Sequence, residues 1–244
     1  MLSYNASVTK AVRYALGMNT EKVKKKRVYA GRSHASRASE RRSAFITAAL
    51  DIIGTKGYAG ATVRALCKQA GFTDRYFYEI FGNTENLLLT LHDRVAGELV
   101  GSLTGAISAA DPDSSKRVIA TTAAFYRFIR DERKARILMI ETVGISENIT
   151  VHTFRTNVKI GSVFASVAPD IVDENIAGED AFLREGSEEV ILFGLGLVGI
   201  ISMPAAAWIM GTKEMAEADM IRMASSMIIG AIQNFRTDRY DTRK

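Results

Sequence analysis

The chain has three histidines, His34, His92 and His152, and one cysteine, Cys67. None stands at His-x-x-x-His, Glu-x-x-His or Cys-x-x-Cys spacing, so no local metal pattern is present, and neither metal nor cofactor is expected. There is no Gly-x-Ser-x-Gly elbow to expose a nucleophile. Gly194, Gly196 and Gly199 have dinucleotide-binding spacing, but they lie inside an apolar helical run with no strand before them, so the match reads as chance. No catalytic constellation can be assembled, and the chain is not expected to be an enzyme. Cys67 reads as a small buried side chain rather than a redox thiol; alone it excludes an internal disulfide and suits a reducing, cytoplasmic setting.

The coherent pattern lies between Ala61 and Leu91. Val63, Leu66 and Ala70 recur at helical spacing behind Thr62, whose hydroxyl can cap a helix start, and Gly71 supplies a left-handed stop. Only Gly71-Phe72-Thr73 separates this helix from the next, with Thr73 placed as its cap. That second helix, 74–81, turns Phe77, Ile80 and Phe81 inward and leaves Asp74, Arg75, Tyr76, Tyr78 and Glu79 wholly or partly outside. Gly82 ends it, and Asn83 or Thr84 caps a third, longer helix. Two helices crossing at a tight turn, the second presenting polar and aromatic side chains, is the geometry that delivers a helix into the DNA major groove.

Residues 41–91 resemble the DNA-binding domain of the TetR family of bacterial transcriptional regulators. The resemblance rests on a first helix carrying Phe45, Ala48, Ala49, Ile52 and Ile53, the Lys56-Gly57-Tyr58 break, Thr62-Val63-Arg64, Ala70-Gly71, Tyr76-Phe77-Tyr78, Phe81, and Glu85 with Leu87-Leu88. It implies that Thr62, Arg64, Thr73, Asp74, Arg75, Tyr76, Tyr78, Glu79 and Thr84 lie at or beside the DNA. Arg64 and Arg75 are then the best base readers, because a guanidinium can bond guanine O6 and N7 together. Tyr76 and Tyr78 would reach phosphates or thymine methyls, although Tyr78 reads also as core and Glu79 as a solvated helix residue. Two departures stand out: Arg75 is bulky where relatives often have a small residue, and Thr84 replaces a frequent phosphate-gripping Lys.

The net charge of +5 is uneven. Residues 1–42 hold eleven Lys and Arg against Glu21 and Glu40, a net of +9, so the other 202 residues carry −4. The basic segment 1–38 therefore reads as a flexible arm able to displace counterions from phosphates, or as a solvated tail. Lys10 and Arg13 interrupt any signal-peptide core.

With 47% apolar residues the chain can build one large or two modest cores. Helices are expected at about 39–56, 62–70, 74–81, 84–109, 114–130, 133–145, 148–167, 180–211 and 213–236, and no segment alternates like a strand. The fold class is thus all-α. It comprises the arm 1–38, a homeodomain-like three-helix domain at 39–83, a larger helical domain at 84–236 and a tail at 237–244.

Residues 191–210 lack formal charge and have the length of a membrane span, but their small residues and the amphipathic helix that follows favour packing within a soluble protein. Phe125, Phe128, Met139, Phe154, Phe164, Phe193 and Trp208 are candidates to line an apolar pocket, with His92, Glu141, His152 and Asn157 as polar anchors; the aromatics read also as plain core, and His152, near a helix start, as a surface residue. The resemblance implies a homodimer through the last two helices, a double-stranded DNA operator, a small-molecule effector and no membrane. A small-molecule-binding or interaction protein with only weak DNA binding is the alternative, and a helical enzyme a third.

Overall fold

The computed structural model describes residues 32–167, 188–211 and 215–241, with side chains described over 37–167, 189–211 and 215–235. Residues 1–31 of the expected arm, the acidic segment 173–180 and residues 242–244 of the tail lie outside them. The described residues form nine α-helices and no strand: α1 (Arg32–Lys56), α2 (Val63–Ala70), α3 (Asp74–Phe81), α4 (Thr84–Ala109), α5 (Ser114–Ile129), α6 (Glu132–Met139), α7 (Glu147–Ala165), α8 (Glu188–Ile209) and α9 (Glu217–Asp241). A short 3-10 turn, Tyr58–Gly60, follows α1.

Expected and observed boundaries differ where side-chain periodicity is silent. α1 reaches back to Arg32, seven residues before the expected start, so the end of the basic segment is helical. α6 stops at Met139 instead of 145, because the amides of Ile140 and Glu141 both turn back to the Arg136 carbonyl and Gly144 adopts a positive φ of 74°.

The chain divides into two compact units. One comprises residues 32–95 together with 136–152; the other comprises 96–135 and the described residues from 153 onward. The start of α4 and the 136–152 segment are bonded to the turn that follows α1 and to each other. The Tyr58 hydroxyl pairs with Thr84 Oγ1 at 3.1 Å, and the Tyr58 amide donates to Glu141 Oε2 at 2.8 Å. Glu85 accepts from Asn148 and Ser146 at 2.9 and 3.1 Å.

In the first unit α1 packs on α2 and α3, and Phe45, Ile53, Leu66, Phe77, Leu87, Leu88 and Leu91 are fully buried. In the second, α9 packs on α5 and α8 around Phe125, Tyr126, Ile129, Phe164, Ile201 and Ile228. α8 is long and apolar enough to cross a membrane by length and composition, with a mean hydropathy of 2.2. It also seats Val190, Leu197, Ile201 and Ala205 in this core, and Gly194 meets Gly161 of α7 backbone to backbone.

Candidate nucleic-acid interface

The turn between α2 and α3 is built by its own residues. Thr62 caps α2, its hydroxyl accepting from the Ala65 amide at 3.2 Å. Gly71 closes α2 at φ 73°, a left-handed conformation that a side chain would strain. Thr73 occupies the cap position of α3 with extended backbone, yet its side chain makes no capping bond, contrary to the expectation for it; the Asp74 carboxylate instead accepts from the Arg75 amide at 2.8 Å. At the start of α4 the cap is Asn83, whose Oδ1 accepts from Asn86 at 2.7 Å.

α3 is fixed from within by aromatic packing. Phe45 of α1 sits among Phe72, Phe77 and Phe81 at ring separations of 6.0, 5.7 and 6.0 Å, and Phe77 and Phe81 are buried. Edge-to-face aromatic contacts of this kind are directional, so the helix cannot rotate freely about its axis. Its opposite side therefore carries Asp74, Arg75, Tyr78 and Glu79, all exposed, at positions one turn apart. Tyr78 is 54% exposed, which removes its reading as core. Thr62 and Arg64 of α2 and Thr73 of the turn are exposed as well. The guanidiniums of Arg64 and Arg75 are thus presented at the surface of two consecutive short helices.

Two candidates stand apart. Tyr76 is half-buried, packed edge-on against Phe72 at 6.2 Å, with the Arg41 guanidinium 4.4 Å above its ring. Arg42 likewise lies 5.3 Å over Phe81 and donates to Thr90 at 3.5 Å. The partners of Arg41 and Arg42 are 35 and more residues away, beyond any local signal. Thr84 is half-buried with its hydroxyl on Tyr58, so it braces the domain rather than standing ready for a phosphate.

Cys67 is half-buried rather than fully enclosed. Burial first, and then the neighbouring Asp74 carboxylate, push its thiol pKa up. A raised pKa keeps the thiolate scarce, which disfavours a reactive role.

The pocket candidates are distributed over both units. His92, Met139, Glu141 and His152 belong to the first unit, and Phe125, Phe128, Phe154, Asn157, Phe164, Phe193 and Trp208 to the second. Phe125 and Phe164 are buried core, Phe154 is exposed, and Phe193 stacks on Phe235 at 4.2 Å. Phe128 lies under the Lys134 ammonium, and the Trp208 indole donates to the Met215 carbonyl at 3.1 Å. Glu141 is engaged by Arg136 and the Tyr58 amide, so its carboxylate is structural. His92 is 1% exposed, and burial first, then the adjacent His152, lowers its pKa to about 4.

A three-helix core presenting Arg64 before a tight turn and Arg75 with Tyr78 on the helix after it defines a DNA-binding protein of the helix-turn-helix class. Residues 45–91 match the family described as bacterial regulatory proteins, tetR family. The match covers the helix-turn-helix segment and leaves the larger helical part of the chain outside it.

No curated protein matches the chain in sequence. Solved structures share its fold. The fatty acid degradation regulator FadR from Bacillus halodurans is 16% identical with a TM-score of 0.63, over 78% of this chain and 95% of that one. FadR from Bacillus subtilis, in complex with stearoyl-CoA, is 18% identical with a TM-score of 0.60, over 78% and 96%. A transcriptional regulator from Rhodococcus sp. Rha1 is 15% identical with a TM-score of 0.61, over 79% and 96%.

Proposed function

We propose that this chain is a sequence-specific, DNA-binding transcriptional regulator of the cytoplasm, a homodimeric repressor released from a palindromic operator by a small-molecule effector. The observation that carries the reading is α3, whose inner face is locked by Phe77 and Phe81 while Arg75 and Tyr78 project outward beside Arg64 of α2. A dimer supplies two such helices, which favours half-sites about one helical turn or a multiple of it apart.

The release mechanism follows from the 136–152 segment. It belongs to the DNA-binding unit, held there by Glu141 on Tyr58 and by Glu85 on Ser146 and Asn148, and the chain runs from both its ends into helices of the second unit. An effector with different affinities for two arrangements of the second unit would move this segment and with it the DNA-binding helices; only that difference in affinity supplies the work. One of the structural relatives, the Bacillus subtilis FadR, was solved with stearoyl-CoA, so long-chain acyl thioesters are reasonable first effectors to try.

Mobility shifts of DNA flanking the chain's own gene test the proposal. Salt-sensitive binding that selects one duplex over random sequence, and weakens with effector, is the expected result. Uniform weak binding to all duplexes would return the chain to the alternative of a small-molecule-binding or interaction protein.

A further inference from the structure

We propose that His92, Asp93 and His152 form a binding site for a divalent transition-metal ion, zinc first among them. His92 and Asp93 are adjacent on α4, and His152 lies in the second turn of α7. One ligand atom from each lies within 4.8 Å of the other two. His152 Nε2 and Asp93 Oδ1 are 2.8 Å apart, close to the edge of a coordination polyhedron, about 3.0–3.4 Å for bonds of about 2.1 Å. The His92 and His152 rings meet edge to face with centroids 5.4 Å apart.

A plain aspartate–histidine ion pair accounts for Asp93 and His152 but not for His92. That side chain is 1% exposed, and its Nδ1 has no hydrogen-bond partner among the described residues. Burying a ring nitrogen without a partner is unfavourable, and native interiors rarely tolerate it. A metal ion accepting the lone pair removes the penalty and uses all three groups at once. Two imidazoles and one carboxylate form a ligand set that suits zinc, cobalt, nickel or copper over magnesium or calcium. The Asp93 side chain is 63% exposed, so an ion can enter from solvent and keep water in its remaining positions. All three residues belong to the DNA-binding unit, where the ion would pin the 136–152 segment to α4.

The test uses full-length protein stripped of metal with a chelator and titrated with cobalt chloride, followed by visible ligand-field absorption. One cobalt ion per chain is expected, displaced by zinc and not by magnesium. Asp93→Asn and His152→Gln should each weaken binding more than about tenfold, and His92→Gln should abolish the absorption, with circular dichroism reporting whether the fold survives. His34→Gln, at the remaining histidine, should change nothing. Because His92 is buried and its variant can unfold, the two less buried positions carry the decision. Absence of ligand-field absorption at saturating cobalt, or absorption that persists undiminished in Asp93→Asn and His152→Gln, would overturn the site. No DNA enters this measurement, so its outcome is independent of the regulatory reading.

Discussion

Arg64 lies on α2 and Arg75 on α3. Both are exposed on short helices whose rotation is fixed by buried side chains, Leu66 in α2 and Phe77 and Phe81 in α3. Replacing either by Ala should cost about 1–3 kcal/mol of discrimination at one base pair per half-site, measured by comparing operators substituted at each position. Equal weakening on operator and random DNA would make them phosphate contacts instead. A second residue-scale expectation concerns Tyr126, which is fully buried with no hydrogen-bond partner for its hydroxyl among the described residues. Tyr126→Phe removes an unsatisfied group and keeps the ring against Trp208, so the melting temperature should hold or rise, by about 2–4 °C for each kcal/mol gained. Burial pushes the phenol pKa up to about 12 from 10. The folded chain thus keeps a proton that the unfolded chain releases between those values, and wild-type stability should fall with rising pH across that window more than that of the Phe variant. A large destabilisation by Tyr126→Phe at neutral pH would show that the hydroxyl has a partner.

Among the elements, α7 and α8 are held at a distance that only glycine permits. A Cβ on Gly161 would sit 2.7 Å from the backbone of Gly194, and one on Gly194 would sit 3.0 Å from that of Gly161. Neither backbone can yield as a flexible side chain would. Gly161→Ala should therefore force the helices apart and destabilise the chain by about 1–3 kcal/mol, read from denaturant unfolding. Gly101→Ala is the internal comparison: that exposed position in α4 has nothing within 4 Å of a new Cβ, and its better helix propensity should leave stability equal or raised by about 0.5–1 kcal/mol. Equal effects of the two substitutions would remove the close approach as the reason for glycine at 161. The same approach gives a structural role to Gly194, whose spacing with Gly196 and Gly199 mimics a nucleotide motif.

For the whole molecule, the apolar stripe of α9 splits in two. Met220, Ala224, Ile228 and Ile232 are buried within the unit, whereas Met223 and Met227 are exposed, and α8 adds exposed Leu192 and Met203, with exposed Met210 just past its end. In the proposed homodimer this outward set is the surface offered to a symmetry mate, so Met227→Glu or Met203→Glu should yield folded monomers by sedimentation, with loss of affinity for a palindromic site. Ile228→Glu would instead place a carboxylate in the chain's own core and unfold it. A Met227→Glu, Met203→Glu double variant that remains a dimer would move the interface elsewhere.

How much of this was legible beforehand depends on the range of the interactions involved. The periodicity and stop residues of 62–91 defined the two short helices, their tight turn and the outward set Arg75, Tyr78 and Glu79, because caps, glycine stops and amphipathic faces act within one or two turns. Four features needed the tertiary structure: Arg41 on Tyr76, Glu141 on Tyr58, the split of the α9 stripe, and the meeting of His92 and Asp93 with His152. Each depends on neighbours distant in sequence, and a helical period shows which side of a helix is apolar without showing which neighbour covers it.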